Sequence, residues 1–227
     1  MISRREFFKY TTIAGATMLA GVGIAGCSES RGAQSSAASS AETSKSAASS
    51  STSTSSAGPK ADSLVVYFSH AGENYGVGYI EEGNTAVVAK MIAKKTGADL
   101  FEVVPAEAYP EGYNECCDVA LAEQNENARP AFEGDIDIAP YKTIYLGYPI
   151  WWGDLPMCLY TFLEAHDWSG KAIRPFCTHA GSGLAGTVGS VQSTCTGADV
   201  GQGLSIAGTT AQNSRDEAQS AVEAWIG

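Results

Sequence analysis

Three short stretches hold the residue types from which a binding chemistry could be built. In the first, Ser69 and His70 follow an apolar run, and Gly83, Asn84 and Thr85 stand where a helical pattern begins. Hydroxyls and unpaired backbone N–H groups would gather there at a helix N-terminus, where donors and the macrodipole favour an anion. The spacing is neither the Gly-x-x-x-x-Gly-Lys-Ser/Thr of nucleoside triphosphate sites nor the Gly-x-Gly-x-x-Gly of dinucleotide folds, so a monophosphate is the better match. Plain helix capping by Asn84 or Thr85 would use the same residues, and that reading stays open.

The second stretch, 143–153, is an apolar run that ends in Pro149, Ile150, Trp151, Trp152 and Gly153. Two adjacent indoles in a Pro/Gly turn offer planar surfaces to a flat aromatic ligand, with a core pair or a partner-docking patch as the competing reading. The third is Thr178, at the end of an apolar run, and the Gly-rich loop 179–186 after it, which carries His179, Gly181, Ser182 and Gly183. His70 beside a phosphate would serve as a donor, or else be an ordinary loop histidine; His166 falls at a helix end. Five cysteines, at 116, 117, 158, 177 and 195, show no Cys-x-x-Cys and no metal spacing.

These stretches need elements to hold them. Residues 64–68 read as a buried strand, 85–96 as a helix with Val88, Met91 and Ile92 on one face and Gly97 as its stop, and 98–104 as a second strand. A polar, half-buried helix over 113–128 and a loop over 130–140 lead into the strand 143–148, whose β-branched and aromatic residues suit a parallel sheet covered on both faces. A helix over 155–166 follows, with Pro156 tolerated in its first turn. Then come a strand over 172–178, a weak helix over 187–195 and a fifth strand over 204–207. Ser214 and Glu217 read as a capping box for a last helix whose apolar face is Ala218, Ala221, Val222 and Trp225. Strands alternating with helices predict a three-layer α/β sandwich.

The amino-terminal part has a different character. Arg4, Arg5 and Lys9 precede an apolar run over 11–26 that ends at Cys27, too short to span a bilayer well, so 1–26 reads as an export signal. The pattern of Ser3, Arg4, Arg5, Phe7 and Lys9 resembles a twin-arginine signal, and Ile24, Ala25, Gly26 and Cys27 resemble a lipobox, which implies lipidation of Cys27. Residues 27–61 are rich in serine and alanine and lack aromatics, the composition of a tether that cannot bury enough surface to order itself. One globular domain, 62–227, remains. With 14 Lys and Arg against 25 Asp and Glu, the chain carries a formal charge of −11, which argues against nucleic acid as a partner.

Taken together, Ser69 to Gly72 with Asn84 and Thr85, the turn Tyr148 to Asp154, and Cys177 to Gly183 resemble the flavodoxin superfamily, and most closely bacterial flavodoxin-like lipoproteins with a twin-arginine signal. The resemblance implies a five-stranded parallel sheet of order 2-1-3-4-5 and one non-covalent FMN at the ends of strands one and three. Ser69, His70, Ala71, Asn84, Thr85 and Ala86 would face its phosphate. Pro149, Ile150, Trp151, Trp152 and Gly153 would line one side of the isoalloxazine, and Thr178, His179, Gly181, Ser182 and Gly183 the other. The chain departs from the pattern by about ten residues inserted after Gly72, where Tyr75, Tyr79, Glu81 and Glu82 would lid the flavin or meet a partner.

The function this implies is electron transfer outside the cytoplasmic membrane. The protein would be lipid-anchored through Cys27 and exchange electrons with redox partner proteins or a small-molecule acceptor. Two alternatives stand beside it: an NAD(P)H-dependent quinone or flavin reductase, whose flavin turn Pro149 to Pro156 also resembles, and a binding lipoprotein without flavin. No acid, base or nucleophile of the chain is required for the first.

Overall fold

In the structure, a computed structural model, residues 62–227 are described; the expected signal 1–26, Cys27 and the tether 27–61 lie outside them. The chain opens with β1 (Ser63–Tyr67), a hairpin of β2 (Gly72–Asn74) and β3 (Gly78–Ile80), α1 (Asn84–Thr96) and β4 (Asp99–Glu102). It continues through β5 (Val104–Pro105), α2 (Tyr113–Glu126), β6 (Phe132–Glu133), β7 (Thr143–Pro149) and α3 (Met157–Glu164). It closes with β8 (Ala172–His179), α4 (Thr187–Thr194), β9 (Asp199–Val200), β10 (Leu204–Ala207), α5 (Gly208–Asn213) and α6 (Arg215–Ile226).

The main sheet is parallel and runs β10-β8-β7-β1-β4, so its five longer strands follow the expected order 2-1-3-4-5. One refinement is β9, which pairs with the start of β8 while β10 pairs with its end; together they make an interrupted edge strand.

Alternation along the central strands explains why both faces are covered. Leu64 and Val66 of β1 and Phe68 just after it, with Ile144, Leu146 and Tyr148 of β7, point into one core with Leu159 and Phe162 of α3 and Val191 of α4. Val65 and Tyr67 point into the other, against Val88 and Ile92 of α1 and Val222 of α6. The result is the three-layer sandwich, with α1, α5 and α6 packed together on one side and α3 touching both α2 and α4 on the other. Gly147 lacks a side chain for a steric reason: a Cβ there would overlap the ring of Phe176 on the neighbouring strand.

Several local expectations are corrected. The insertion after Gly72 is a β-hairpin rather than a loop, with Glu73 opposite Tyr79. Pro156 stands at the N-cap of α3, outside the helix, and the helix ends at Glu164. The capping box does not form: Ser214 is the N-cap of α6, but no side chain caps it, and the Glu217 and Ala218 N–H groups bond instead to the Ser214 carbonyl. Among the described residues no helix is long and apolar enough to cross a membrane.

Candidate functional site

From β1 the chain turns toward β4, and from β7 it runs the opposite way across the sheet, so the order reverses between these two neighbours. The crevice outside the carboxyl ends of strands at such a reversal is where doubly wound sheets take ligands. A cavity of about 470 Å³ opens there, within the range of small-molecule sites. Its walls come from the loop after β1, the first residue of α1, the turn after β7, the end of β8 and the first two turns of α2.

The phosphate-like end is built around Gly83, the N-cap of α1. Only a glycine fits, because a Cβ there would overlap Ser69 Oγ and the His70 carbonyl. The close approach lets Ser69 Oγ accept the Ala86 N–H at 3.0 Å. Two polar atoms at this end are buried without a hydrogen-bond partner: His70 Nε2 and Asn84 Oδ1, both side chains lining the cavity. A buried polar atom left unpaired costs about 1–3 kcal/mol. At this helix N-terminus the His70 Nε2–H and the Asn84 Nδ2 amide are donors suited to a phosphate ester, while Asn84 Oδ1, an acceptor, suits a hydroxyl of the same ligand.

Burial lowers the His70 pKa, with Glu111 pulling weakly the other way, so the free site presents a neutral imidazole. His179 is likewise lowered by burial, and its Nδ1 accepts the Gly181 N–H at 2.9 Å. In the neutral ring the proton is then on Nε2, which makes His179 a second donor.

The turn after β7 is tight. Trp151 and Asp154 exchange backbone hydrogen bonds of 3.0 and 2.9 Å, and the two residues between them, Trp152 (φ 50°) and Gly153 (φ 82°), both have positive φ, the signature of a type I′ turn. This geometry separates the two indoles. Trp151 packs edge-on against Phe68 (5.2 Å between centroids), Tyr109 (4.9 Å) and His70 (5.8 Å). Trp152 is 54 % exposed and donates its Nε1–H to the Cys117 carbonyl of α2 at 2.9 Å.

Of the residues singled out in the sequence, His70, Asn84, Pro149, Ile150, Trp151, Trp152, Thr178 and His179 line this cavity together. Ser69 and Ala86 stand just behind it, joined by their hydrogen bond. Thr85 is buried and its hydroxyl is paired with that of Thr178 at 2.8 Å, a tie between α1 and β8. Ala71, Gly153, Gly181, Ser182 and Gly183 are not in the lining. Beyond Ala180 the loop folds back so that the Gly183 carbonyl accepts from the Cys177 thiol at 3.4 Å.

The structure adds residues that the motifs did not mark as a wall. Tyr113, Cys116 and Cys117 of α2 line the cavity, as does Gly208, where a Cβ would come within 2.6 Å of Asn84 Nδ2. Burial pushes the Cys116 thiol up to about 12, so it stays neutral. Glu73 and Asp118 are the charged carboxylates of the lining, which contains no Lys or Arg. Among the described residues no group of side chains could hold a metal ion.

Comparison with known proteins agrees with this architecture. The flavodoxin family matches residues 63–225. No curated protein matches the chain. Among solved structures, a protein of Bacteroides eggerthii described as a flavoprotein is 27 % identical, with a TM-score of 0.58, over 72 % of this chain and 94 % of its own. A second, from Bacteroides uniformis, is 28 % identical, with a TM-score of 0.57, over 71 % and 97 %. A flavoprotein of Lactobacillus acidophilus, solved in complex with FMN, is 22 % identical, with a TM-score of 0.52, over 73 % and 98 %.

Proposed function

Because the chain belongs to the flavodoxin family, we propose that its cavity holds one FMN and that the protein is an electron carrier. The observation that carries the reading is the pair of unpartnered buried atoms, His70 Nε2, a donor when it carries the proton, and the acceptor Asn84 Oδ1, in a cavity at the N-terminus of α1 that Trp152 also lines. A phosphate at His70, a hydroxyl donating to Asn84 Oδ1 and a flat ring system toward Trp152 would satisfy both ends of the cavity. The isoalloxazine supplies chemistry that no side chain has, the reversible uptake of one or two electrons.

The residues of the chain bind, orient and tune. Ser69 holds the loop against α1, and His70 and His179 offer N–H donors. The Trp152 indole, kept in place by its bond to Cys117, covers an edge from water. Glu73 and Asp118 place negative charge at the wall, which opposes further negative charge inside and lowers the potential at which a bound group accepts electrons. The neutral thiol of Cys116 takes no part in this.

The location of the carrier is part of the proposal. The twin-arginine pattern at Arg4 and Arg5 and the lipobox ending at Cys27 support export of the folded protein and its anchoring to the outer face of the cytoplasmic membrane, where a redox partner protein or a small molecule would exchange electrons with it.

The test is a titration of the purified, flavin-free chain. One FMN per chain should bind and quench tryptophan emission, while riboflavin, lacking the phosphate, should bind far more weakly. Equal affinity for both would show that the helix N-terminus is not a phosphate site.

A further inference from the structure

Behind the α2 wall of the cavity lies a carboxyl group that ligand binding leaves unused. Cys116, Ala120 and Glu123 stand at i, i+4 and i+7, so they share one stripe of α2. Cys116 and Ala120 line the cavity, and Glu123 lies one turn beyond them. A second route leads to the same side chain. Tyr109, buried, packs edge-on against Trp151 of the cavity at 4.9 Å and donates its hydroxyl to Glu123 Oε2 at 2.7 Å. The titratable groups facing Glu123 come from three elements: Glu107 and Tyr109 from the loop before α2, Cys116 from α2 itself and Cys158 from α3. Burial pushes both thiols up to about 12 and raises the Tyr109 hydroxyl as well, so these three stay neutral. None of the four neighbours is a cation, and among the described residues Glu123 belongs to no ion pair. Burial therefore raises the Glu123 carboxyl, with the Tyr109 hydroxyl pulling it back and Glu107 adding to the rise.

We propose that Glu123 is a proton-binding residue coupled to the cavity: it takes a proton from water when bound FMN is reduced and gives it back when FMN is oxidised. The inference rests on the reading above, in which the cavity holds FMN, and adds to it a control of the potential by pH. Each electron that FMN accepts from its redox partner adds negative charge beyond the wall formed by Cys116, Ala120 and Trp151. The Glu123 carboxylate, with no cation to balance it, is then disfavoured, and forming an O–H bond with a proton from solvent removes the repulsion. Glu123 is half-buried rather than sealed, so the proton needs no path through the core. Linkage makes the effect reciprocal: protonated Glu123 makes FMN easier to reduce, and ionised Glu123 makes it harder. Glu73 and Asp118 of the lining are exposed, where solvent screens their charge. His70 and His179 also line the cavity, but the Tyr109 hydroxyl is bonded to Glu123 and not to them.

The test uses the FMN-loaded chain, with midpoint potentials read by redox titration from pH 5 to pH 8. Glu123→Gln keeps the shape of the side chain and an acceptor for Tyr109 but carries no charge. Its FMN potential should be less negative than that of wild type at pH 8, and the difference should shrink toward pH 5, as the wild-type carboxyl becomes protonated too. Tyr109→Phe removes the hydroxyl that favours the carboxylate and keeps the ring against Trp151. Its profile should move to higher pH than wild type, and it carries the test if Glu123→Gln fails to fold. Carbon-13 NMR of the side-chain carboxyls reads the proton itself: the signal absent from Glu123→Gln should titrate at higher pH in the reduced protein than in the oxidised one. A potential difference that is zero, or constant across the range, overturns the proposal while leaving FMN binding intact. So does a carboxyl signal that titrates identically in both states, or a Tyr109→Phe profile superimposed on wild type. If the unaltered chain takes up no FMN, the earlier reading falls and this one with it.

Discussion

Ser69 Oγ accepts the Ala86 N–H at 3.0 Å, so α1 is capped by a residue of the loop after β1 and not by its own opening residues. The N-cap itself is a glycine and has no side chain to offer. This one bond therefore both satisfies a helix donor and locks the loop that carries His70. Ser69→Ala should lower stability by about 1 kcal/mol, the usual worth of an N-terminal cap, read from urea denaturation of the flavin-free chain. FMN affinity should fall as well, because the loop would lose its register on the helix. Unchanged stability would mean that the bond is not made in solution.

Gly208 is the clearest site residue without a motif. A Cβ there would lie 2.6 Å from the Asn84 amide nitrogen, the far end of a side chain that can move. Gly208→Ala should therefore fold with little change in melting temperature while displacing Asn84 from the phosphate end. FMN affinity should drop roughly tenfold, the loss of one charge-assisted hydrogen bond. A variant that binds FMN normally would show that Asn84 does not contact the ligand.

The layout of the sheet could be read from the sequence, because strands covered on both faces leave uninterrupted apolar runs. Residues 64–68 and 143–148 do so, and the structure uses alternate residues of each for the two cores. The hairpin after Gly72 could not be read this way. Its strands, Gly72–Asn74 and Gly78–Ile80, are three residues long with no alternation, and they are held by Glu111, distant in sequence. The short helix α5 is hidden for a related reason: Gly208, Thr209, Thr210 and Asn213 are poor helix formers, and packing on α1 and α6 stabilises it instead. Of the site, the turns that follow strands were legible as Gly, Pro and Trp clusters. The wall from α2 was not, since Tyr113, Cys116 and Cys117 look like any half-buried helix face until the fold places them beside Trp152.

Acid should weaken the flavin-free fold in a defined window. Burial lowers the pKa of both His70 and His179, so between those folded values and the ordinary value near 6.5 the unfolded chain binds more protons than the folded one. Stability is then fully present above about pH 6.5 and is lost as pH falls through the lowered folded values. Glu123, whose carboxyl is pushed up by burial, acts in the opposite sense, so the histidine share is read by difference. Urea midpoints measured from pH 8 to pH 5 should decline less steeply in His70→Gln than in wild type. FMN should also flatten the decline, because a phosphate at Nε2 favours the imidazolium. Parallel curves for wild type and variant would contradict the burial of His70.

Export should depend on two short patterns at the amino terminus. Changing both Arg4 and Arg5 to Lys removes the paired guanidinium groups that the twin-arginine signal requires and should leave the protein inside the cell. Cys27→Ala removes the sulfur that would carry the lipid, so membrane-bound protein should become soluble after export. Fractionation and mass spectrometry of the amino-terminal fragment check both. A double-lysine variant that is exported normally, or a Cys27→Ala protein that still carries lipid, would overturn the anchoring proposal.

The adjacent tryptophans should separate cleanly by substitution, because the turn sends them into different surroundings. Trp151 is wedged edge-on among Phe68, Tyr109 and His70, with Phe68 and Tyr109 themselves buried. Removing it opens a void against a well-packed wall, and Trp151→Ala should destabilise the fold by about 2–4 kcal/mol, near the lower part of the range for large aromatic truncations because the ring is only half-buried. Trp152 is more than half exposed and makes one side-chain hydrogen bond, so its loss leaves no void. Its backbone is held at φ 50°, a conformation as strained for alanine as for tryptophan, so Trp152→Ala neither relieves nor adds turn strain. Stability should change by less than about 1 kcal/mol, whereas FMN binding should weaken and the quenching of fluorescence by FMN should shrink. The reverse pattern, with Trp152→Ala unfolding the chain and Trp151→Ala sparing it, would show that the two rings exchange places in solution and that the face offered to the ligand is the other indole.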